Sequence, residues 1–135
     1  DRRHLNNGEQ INAVSPIGIL EYAGKKLVFT GDSNNSNEKY YCETYPYVDC
    51  DVLKVAHHGS RTSSSEDFLQ HVKCEYAVIS VGDGNSYGHP EQEALDRLKA
   101  NGIQKIHRTD KCGNVVLTVS HTGEMAFSCE KQCAA

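Results

Sequence analysis

The sequence predicts an α/β domain, a mixed sheet with helices packed on it, and three observations carry that expectation. Apolar runs of strand length recur at 26–30, 51–56 and 76–81. Segments with helical spacing of apolar residues lie between them, and two short strand-like segments close the chain. At 135 residues the chain fits one domain, and a domain of that size buries roughly two thirds of its unfolded surface. A real core is therefore expected.

The first element is a strand within 12–22, carried by Val14, Ile17, Ile19 and Leu20, which turns through Ala23-Gly24-Lys25 into Lys26–Thr30 as a hairpin. From Asn34 to Tyr45 the chain is polar, with Tyr40, Tyr41 and Glu43 at helical spacing, and Pro46 closes that helix. A strand at 51–56 follows. Ser63-Ser64-Ser65-Glu66 fits a capping box with Ser63 as cap, and Phe68, Leu69 and Val72 give a short helix over 64–73 its apolar stripe. The next strand is 76–81, and Gly82-Asp83-Gly84-Asn85-Ser86 is loop. Pro90 suits a first helical turn, Ala94, Leu95 and Leu98 form an inner face, and Gly102 stands where a C-terminal cap belongs. Strands at 104–108, 114–119 and 124–128 complete the domain, the last two joined by His121-Thr122-Gly123.

Fourteen basic and eighteen acidic residues give a net charge of −4, which argues against gripping duplex nucleic acid by bulk electrostatics. A metal enzyme acting on phosphodiesters is compatible with it, because bound ions supply their own positive charge. The opening Asp-Arg-Arg-His-Leu-Asn-Asn-Gly has the character of neither an initiator region nor a signal peptide. The chain therefore reads as a piece of something longer, with 1–11 as junction and 12–128 as folded core. No apolar run approaches the roughly 20 residues that span a bilayer, so the segment itself is expected to be soluble. The six cysteines contain no Cys-x-x-Cys pair. Only Cys129 and Cys133 have ligand-like spacing, with no His or Cys after them, which argues against a zinc finger. Cys42 with Cys50 and Cys129 with Cys133 are the candidate disulfides, and buried free thiols are the alternative.

The chemistry-bearing residues fall at strand ends. Thr30-Gly31-Asp32 ends one apolar strand in a carboxylate, and Val55-Ala56-His57-His58-Gly59-Ser60 ends another in two imidazoles. Carboxylate and neutral imidazole are the ligands that zinc or manganese accepts, so these strands are expected to be neighbours around a metal site. Asn85 and His89 follow the next strand. His71, His107 and His121, on a helix or beside exposed strands, read as ordinary surface histidines, and His4 as a terminal one.

Five motifs in order resemble the metallo-β-lactamase superfamily, and within it the soluble domain of ComEC-type competence DNA-uptake proteins. They are Thr30-Gly31-Asp32; Asp51–Val55 with His57-His58-Gly59-Ser60 and Ser63; Ala77–Gly82; Asn85 with Tyr87-Gly88-His89-Pro90; and Arg108-Thr109-Asp110 with Gly113. The resemblance implies one half of an αββα sandwich around two divalent ions, zinc or manganese, that activate water. It implies Asp32 and His58 as metal ligands, His57 and His89 as catalytic residues, and Ser60, Asn85 and Tyr87 as substrate contacts. The superfamily's His-x-His-x-Asp-His motif is absent from these residues, so the chain resembles a C-terminal half. By itself it is expected to bind metal weakly or not at all and to be inactive. The implied partners are the missing N-terminal half and DNA. The implied setting is an extracytoplasmic domain of a membrane-anchored bacterial parent, or a secreted protein. A phosphorylcholine esterase or other small-molecule phosphodiesterase is the neighbouring alternative, and a catalytically silent docking or translocation domain is the rival from another class.

Overall fold

The computed structural model describes residues 11–133; His4 and most of the expected junction lie outside them. Five strands form one mixed sheet in sequential order: β1 (Gly18–Tyr22), β2 (Lys25–Phe29), β3 (Cys50–Lys54), β4 (Cys74–Ile79) and β5 (Lys105–Arg108). β1 and β2 pair antiparallel through Ala23-Gly24, both with positive φ, as a two-residue hairpin turn requires. From β2 to β5 every pairing is parallel, and the crossovers are the helices α1 (Asn35–Thr44), α2 (Glu66–Val72) and α3 (Gln92–Ala100). A one-turn helix α4 (Thr109–Cys112) then leads into a separate hairpin of β6 (Val115–Val119) and β7 (Met125–Cys129). The α/β class and the mixed sheet are as the sequence predicts.

Register decides which face each residue takes. Val28, Leu53 and Ala77 stand side by side and join Ile79 in a buried cluster with Tyr41 of α1, Phe68, Leu69 and Val72 of α2, and Leu95 and Leu98 of α3. Burying each of the larger aliphatic or aromatic side chains contributes about 1.5–3 kcal/mol. The opposite face carries Leu27, Val52 and Tyr76, also in register. Here Phe127 of β7 packs on Tyr76 and on His107 of β5, with ring centroids 5.5 and 4.2 Å apart. The layers are thus helices, sheet and a second small sheet. Part of that second face is bare: Leu20, Tyr22 and Phe29, alternate residues of β1 and β2, are exposed.

Three local expectations need correction. The first strand does not extend over 12–22: residues 11–14 form a helical turn, Pro16 lacks a ladder N–H, and pairing starts at Gly18. The cap of α2 is Ser65, whose Oγ accepts from Phe68 N at 3.3 Å, whereas Ser63 Oγ donates to Ser33 O at 2.6 Å. The carboxylate of Glu38, on α1, holds the turn that leads into this helix. It takes the N–H groups of Ser64 and Ser65 at 2.6 and 2.8 Å. Finally, α3 begins after Pro90, at Gln92, with Glu91 as its cap residue. Its far end does close as expected at Gly102 (φ 90), where Ile103 N returns to Leu98 O.

Candidate metal centre

Parallel strands share a direction, so the loops after β2, β3 and β4 leave the sheet at one end. Phe29 pairs with Lys54 and Lys54 with Val78, which delivers Asp32, the His57-His58 turn and the His89 loop to one rim. Two clamps hold these loops together. His57 N donates to Gly31 O at 3.0 Å, and Asn35 N donates to Thr62 O at 3.0 Å. The Arg97 guanidinium gathers the carbonyls of Arg61, Ser63 and Ser64 at 3.0–3.2 Å, opposite the Glu38 carboxylate that holds the neighbouring N–H groups.

The double-histidine turn is strained. His57 (φ 47) and His58 (φ 56) are both left-handed, ahead of Gly59 at φ 85, a conformation that costs an L-residue about 1–2 kcal/mol. The turn persists because Ser60 N bonds His57 O at 3.0 Å and Glu91 N bonds Gly59 O at 2.9 Å. Glycine is required at position 59 on a second count, since a Cβ there would lie 2.5 Å from Pro90 Cβ. The His89-Pro90 loop can press against the histidine turn only because that atom is absent.

The geometry distinguishes the two histidines. His58 Nδ1 lies 2.6 Å from Ser80 O. A carbonyl only accepts, so Nδ1 carries the proton and Nε2 presents its lone pair. That Nε2 faces Asp32 Oδ1 at 3.5 Å. A carboxylate oxygen and an imidazole nitrogen facing each other in this way are suited to a divalent ion between them. A backbone carbonyl orienting the ring of a ligating histidine is the usual support of such a ligand. The donor set therefore fits a divalent ion, although one carboxylate and one imidazole are fewer than the three or four protein ligands of a zinc site. His57 and His89 flank this pair, with ring centroids 5.7 Å apart, and each has a buried Nδ1 without a hydrogen-bond partner. Burial, and then the positive charge His57 can carry, push the His89 pKa below the ordinary histidine value, against the pull of Glu91, whose Oε1 is 3.8 Å away.

The expected substrate contacts are of two kinds. Ser60 is buried, with Oγ 3.0 Å from Thr62 Oγ1, and the Asn85 amide is bonded to the backbone of Gly82 and His89. Both side chains hold loop backbone in place. Tyr87 is 80% exposed and stacked beside His89 with centroids 5.9 Å apart, so it alone of the three projects into open space. Lys54 is a residue the sequence reading passed over. Its ammonium is tied to Val55 O at 2.8 Å and its pKa is lowered by burial, with the charge of Asp32 opposing that shift. It is a partly buried cation within electrostatic reach of the carboxylate.

No protein-family model matches the chain. Among characterised proteins it is 38% identical over 104 residues, 77% of its length, to ComE operon protein 3 of Bacillus subtilis. It is 39% identical over 116 residues, 85% of its length, to competence protein ComA of Neisseria gonorrhoeae. These are homologues of the chain. A third, recombination protein 2 of Haemophilus influenzae, is 34% identical over 87 residues. The chain spans only 13%, 17% and 11% of these relatives' lengths, so it corresponds to one segment of competence-related proteins. Among the described residues no helix is long and apolar enough to cross a membrane.

The cysteines meet expectation in part: Cys50 and Cys74 are the buried free thiols of the alternative reading, whereas the disulfide that forms is not one of the two candidates. Cys112 is bonded to Cys133, while Cys42, Cys50, Cys74 and Cys129 are free. Neither anticipated pairing forms, although the Cys129 and Cys133 sulfurs are only 3.3 Å apart. His107, expected at an exposed strand, is 2% exposed beside them. Its ring is covered by Phe127, which a strand-by-strand reading of β5 does not foresee.

Proposed function

We propose that the chain is the C-terminal half of a metallo-β-lactamase-type domain in a DNA-uptake protein, and that the complete domain is a metal-dependent hydrolase cutting a phosphodiester of the incoming strand. The observation that carries this reading is the Asp32–His58 pair, 3.5 Å apart with His58 held in the ligating tautomer by Ser80. The relationship to competence proteins supports DNA as the substrate over a choline ester. Asp32 and His58 would hold a divalent ion, which would supply a water lowered in pKa to near neutrality and a counter-charge for phosphate oxygens. His89, whose pKa burial lowers, would take up or return a proton at the leaving oxygen, with the His57 ring beside it. Tyr87 offers a flat face on which a base stacks.

The partner in this reading is the N-terminal half of the same domain. It would bring the missing ligands and cover the apolar strip of Leu20, Tyr22 and Phe29. Beside the strip, a cleft of about 170 Å³ lined by Leu27, Val52, Val115 and Leu117 opens between the sheets. The relatives are several times longer than the matched segment, so there is chain to supply that half.

The test is cleavage of labelled single-stranded DNA by the full-length parent with zinc or manganese. Asp32→Ala is expected to reduce turnover at least a hundredfold, since it would remove one of the two residues that would hold the metal. Cleavage of a phosphorylcholine ester but not DNA would favour the small-molecule enzyme. No metal-dependent cleavage of either, with DNA uptake intact in Asp32→Ala, would favour a silent docking domain.

A further inference from the structure

A second constellation lies apart from the rim, on β5, α4, β7 and the residues that follow. His107, Cys112, Cys129 and Cys133 each offer one nitrogen or sulfur atom, and these four atoms all lie within 4.8 Å of one another. In sequence they form two short-spaced ligand pairs, His107-x4-Cys112 and Cys129-x3-Cys133, close to the knuckle spacing of structural zinc sites. We propose that, in the thiol state of the protein, these residues bind a zinc ion as a Cys3His site that fastens the C-terminal hairpin to the main sheet.

The His107, Cys129 and Cys133 part of the geometry is near that of a loaded site, while the bonded Cys112 and Cys133 sulfurs must move apart on reduction. A tetrahedral zinc with Zn–S of about 2.3 Å places its sulfurs about 3.7 Å apart; Cys129 and Cys133 are 3.3 Å apart, and His107 Nδ1 is 3.6 Å from Cys129 Sγ. Surrounding structure already holds the His107 ring and the Cys133 segment in place. Stacking on Phe127 at 4.2 Å sets the His107 ring. Lys131 N donates to Cys112 O at 2.8 Å and Glu130 N to Asn114 O at 2.9 Å, which folds the Cys133 segment back over α4. His107 and Cys112 are buried and the other two half-buried, as in closed structural sites. Lys105, Lys111 and Lys131 line the surrounding concavity and offset the negative charge of three thiolates.

The Cys112–Cys133 disulfide and the ion exclude each other. A phosphine or dithiol gives two electrons to the disulfide, which with two protons becomes two thiols while the reductant is oxidised. Zinc then displaces three thiol protons to solvent and accepts four lone pairs. A disulfide-forming oxidant reverses the sequence and expels the ion. The site uses no residue of the Asp32–His58 rim, so its fate is independent of the function proposed above.

The test uses the 135-residue chain, reduced with a phosphine under nitrogen, given zinc and passed over a chelating resin. One zinc per chain is expected to remain, and none after oxidation with diamide. Cobalt in place of zinc should show the thiolate-to-metal charge-transfer band and strong visible absorption of a tetrahedral site, a signature that needs no variant. Cys129→Ser should weaken zinc binding at least tenfold, while Cys42→Ser and the double change Asp32→Ala with His58→Ala should retain the ion. No zinc retained by the reduced chain, cobalt spectra without thiolate bands, or loss of the ion in the Asp32/His58 double variant would each overturn the site.

Discussion

Gly59→Ala probes how the histidine turn meets the His89 loop. Two costs combine at this position. The residue has φ 85, where a Cβ costs about 1–2 kcal/mol, and that Cβ would stand 2.5 Å from Pro90 Cβ and 3.0 Å from Pro90 Cα. Contacts at those distances force the loop outward, and overpacking of this kind costs about 1–3 kcal/mol. The sum is about 2–5 kcal/mol, a large share of the roughly 5–15 kcal/mol that holds a domain together. Gly84→Ala is the matched control, since Gly84 has φ 63 and open space around its added Cβ; it bears the backbone term alone. Urea unfolding of both variants at pH 7 should show Gly59→Ala costing at least 1 kcal/mol more than Gly84→Ala. Equal costs would refute the claim that close approach to Pro90 fixes glycine at position 59.

Other outcomes follow from the polar network. Glu38→Gln keeps volume but leaves one of the Ser64 and Ser65 N–H groups facing an NH2, so it should lose about 1–3 kcal/mol in urea unfolding. Burial raises the Glu38 pKa above 4.5, so the native state binds its proton more tightly than the unfolded chain does. This group's contribution therefore falls as pH rises through the range above 4.5, and the gap between wild type and variant should narrow over that interval. Asp110→Asn removes a two-bonded partner of Arg108, at 3.0 and 2.6 Å, and should cost about 1.5–3 kcal/mol at pH 7. The Arg108 hydrogen bonds hold the Asp110 pKa below the usual aspartate value. That stability is present above pH about 4 and lost as pH falls through the lowered value, so the two unfolding curves should converge in acid.

Sequence patterns were most informative where one residue type decides the local outcome. Apolar runs ending in Asp32 and in His57-His58 forecast two adjacent strands and their shared rim, because parallel strands must deliver their C-terminal loops to one side. Gly102 forecast a helix end for the same kind of reason. Where tertiary partners choose among equals, the pattern was silent. Ser63, Ser64 and Ser65 can each cap a helix, and it is Glu38, from another helix, that leaves Ser65 as the cap. The commitment of Asn85 and Ser60 to loop backbone is likewise invisible without neighbours. The His107 cluster did leave a signal, two short-spaced ligand pairs. It is overlooked when ligands are sought only after Cys129-x3-Cys133, because the second pair precedes it in sequence and is brought back by the β6–β7 hairpin.

The central claim is that Asp32 and His58, not His57, present ligands to the ion. Its most direct test is the manganese content of the full-length parent carrying His58→Ala or His57→Ala, each in a Cys129→Ser background so that the thiolate cluster contributes nothing. The fixed tautomer of His58 and its 3.5 Å approach to Asp32 predict that His58→Ala loses most of its bound metal while His57→Ala keeps it. Loss of metal in His57→Ala with full occupancy in His58→Ala would contradict the account.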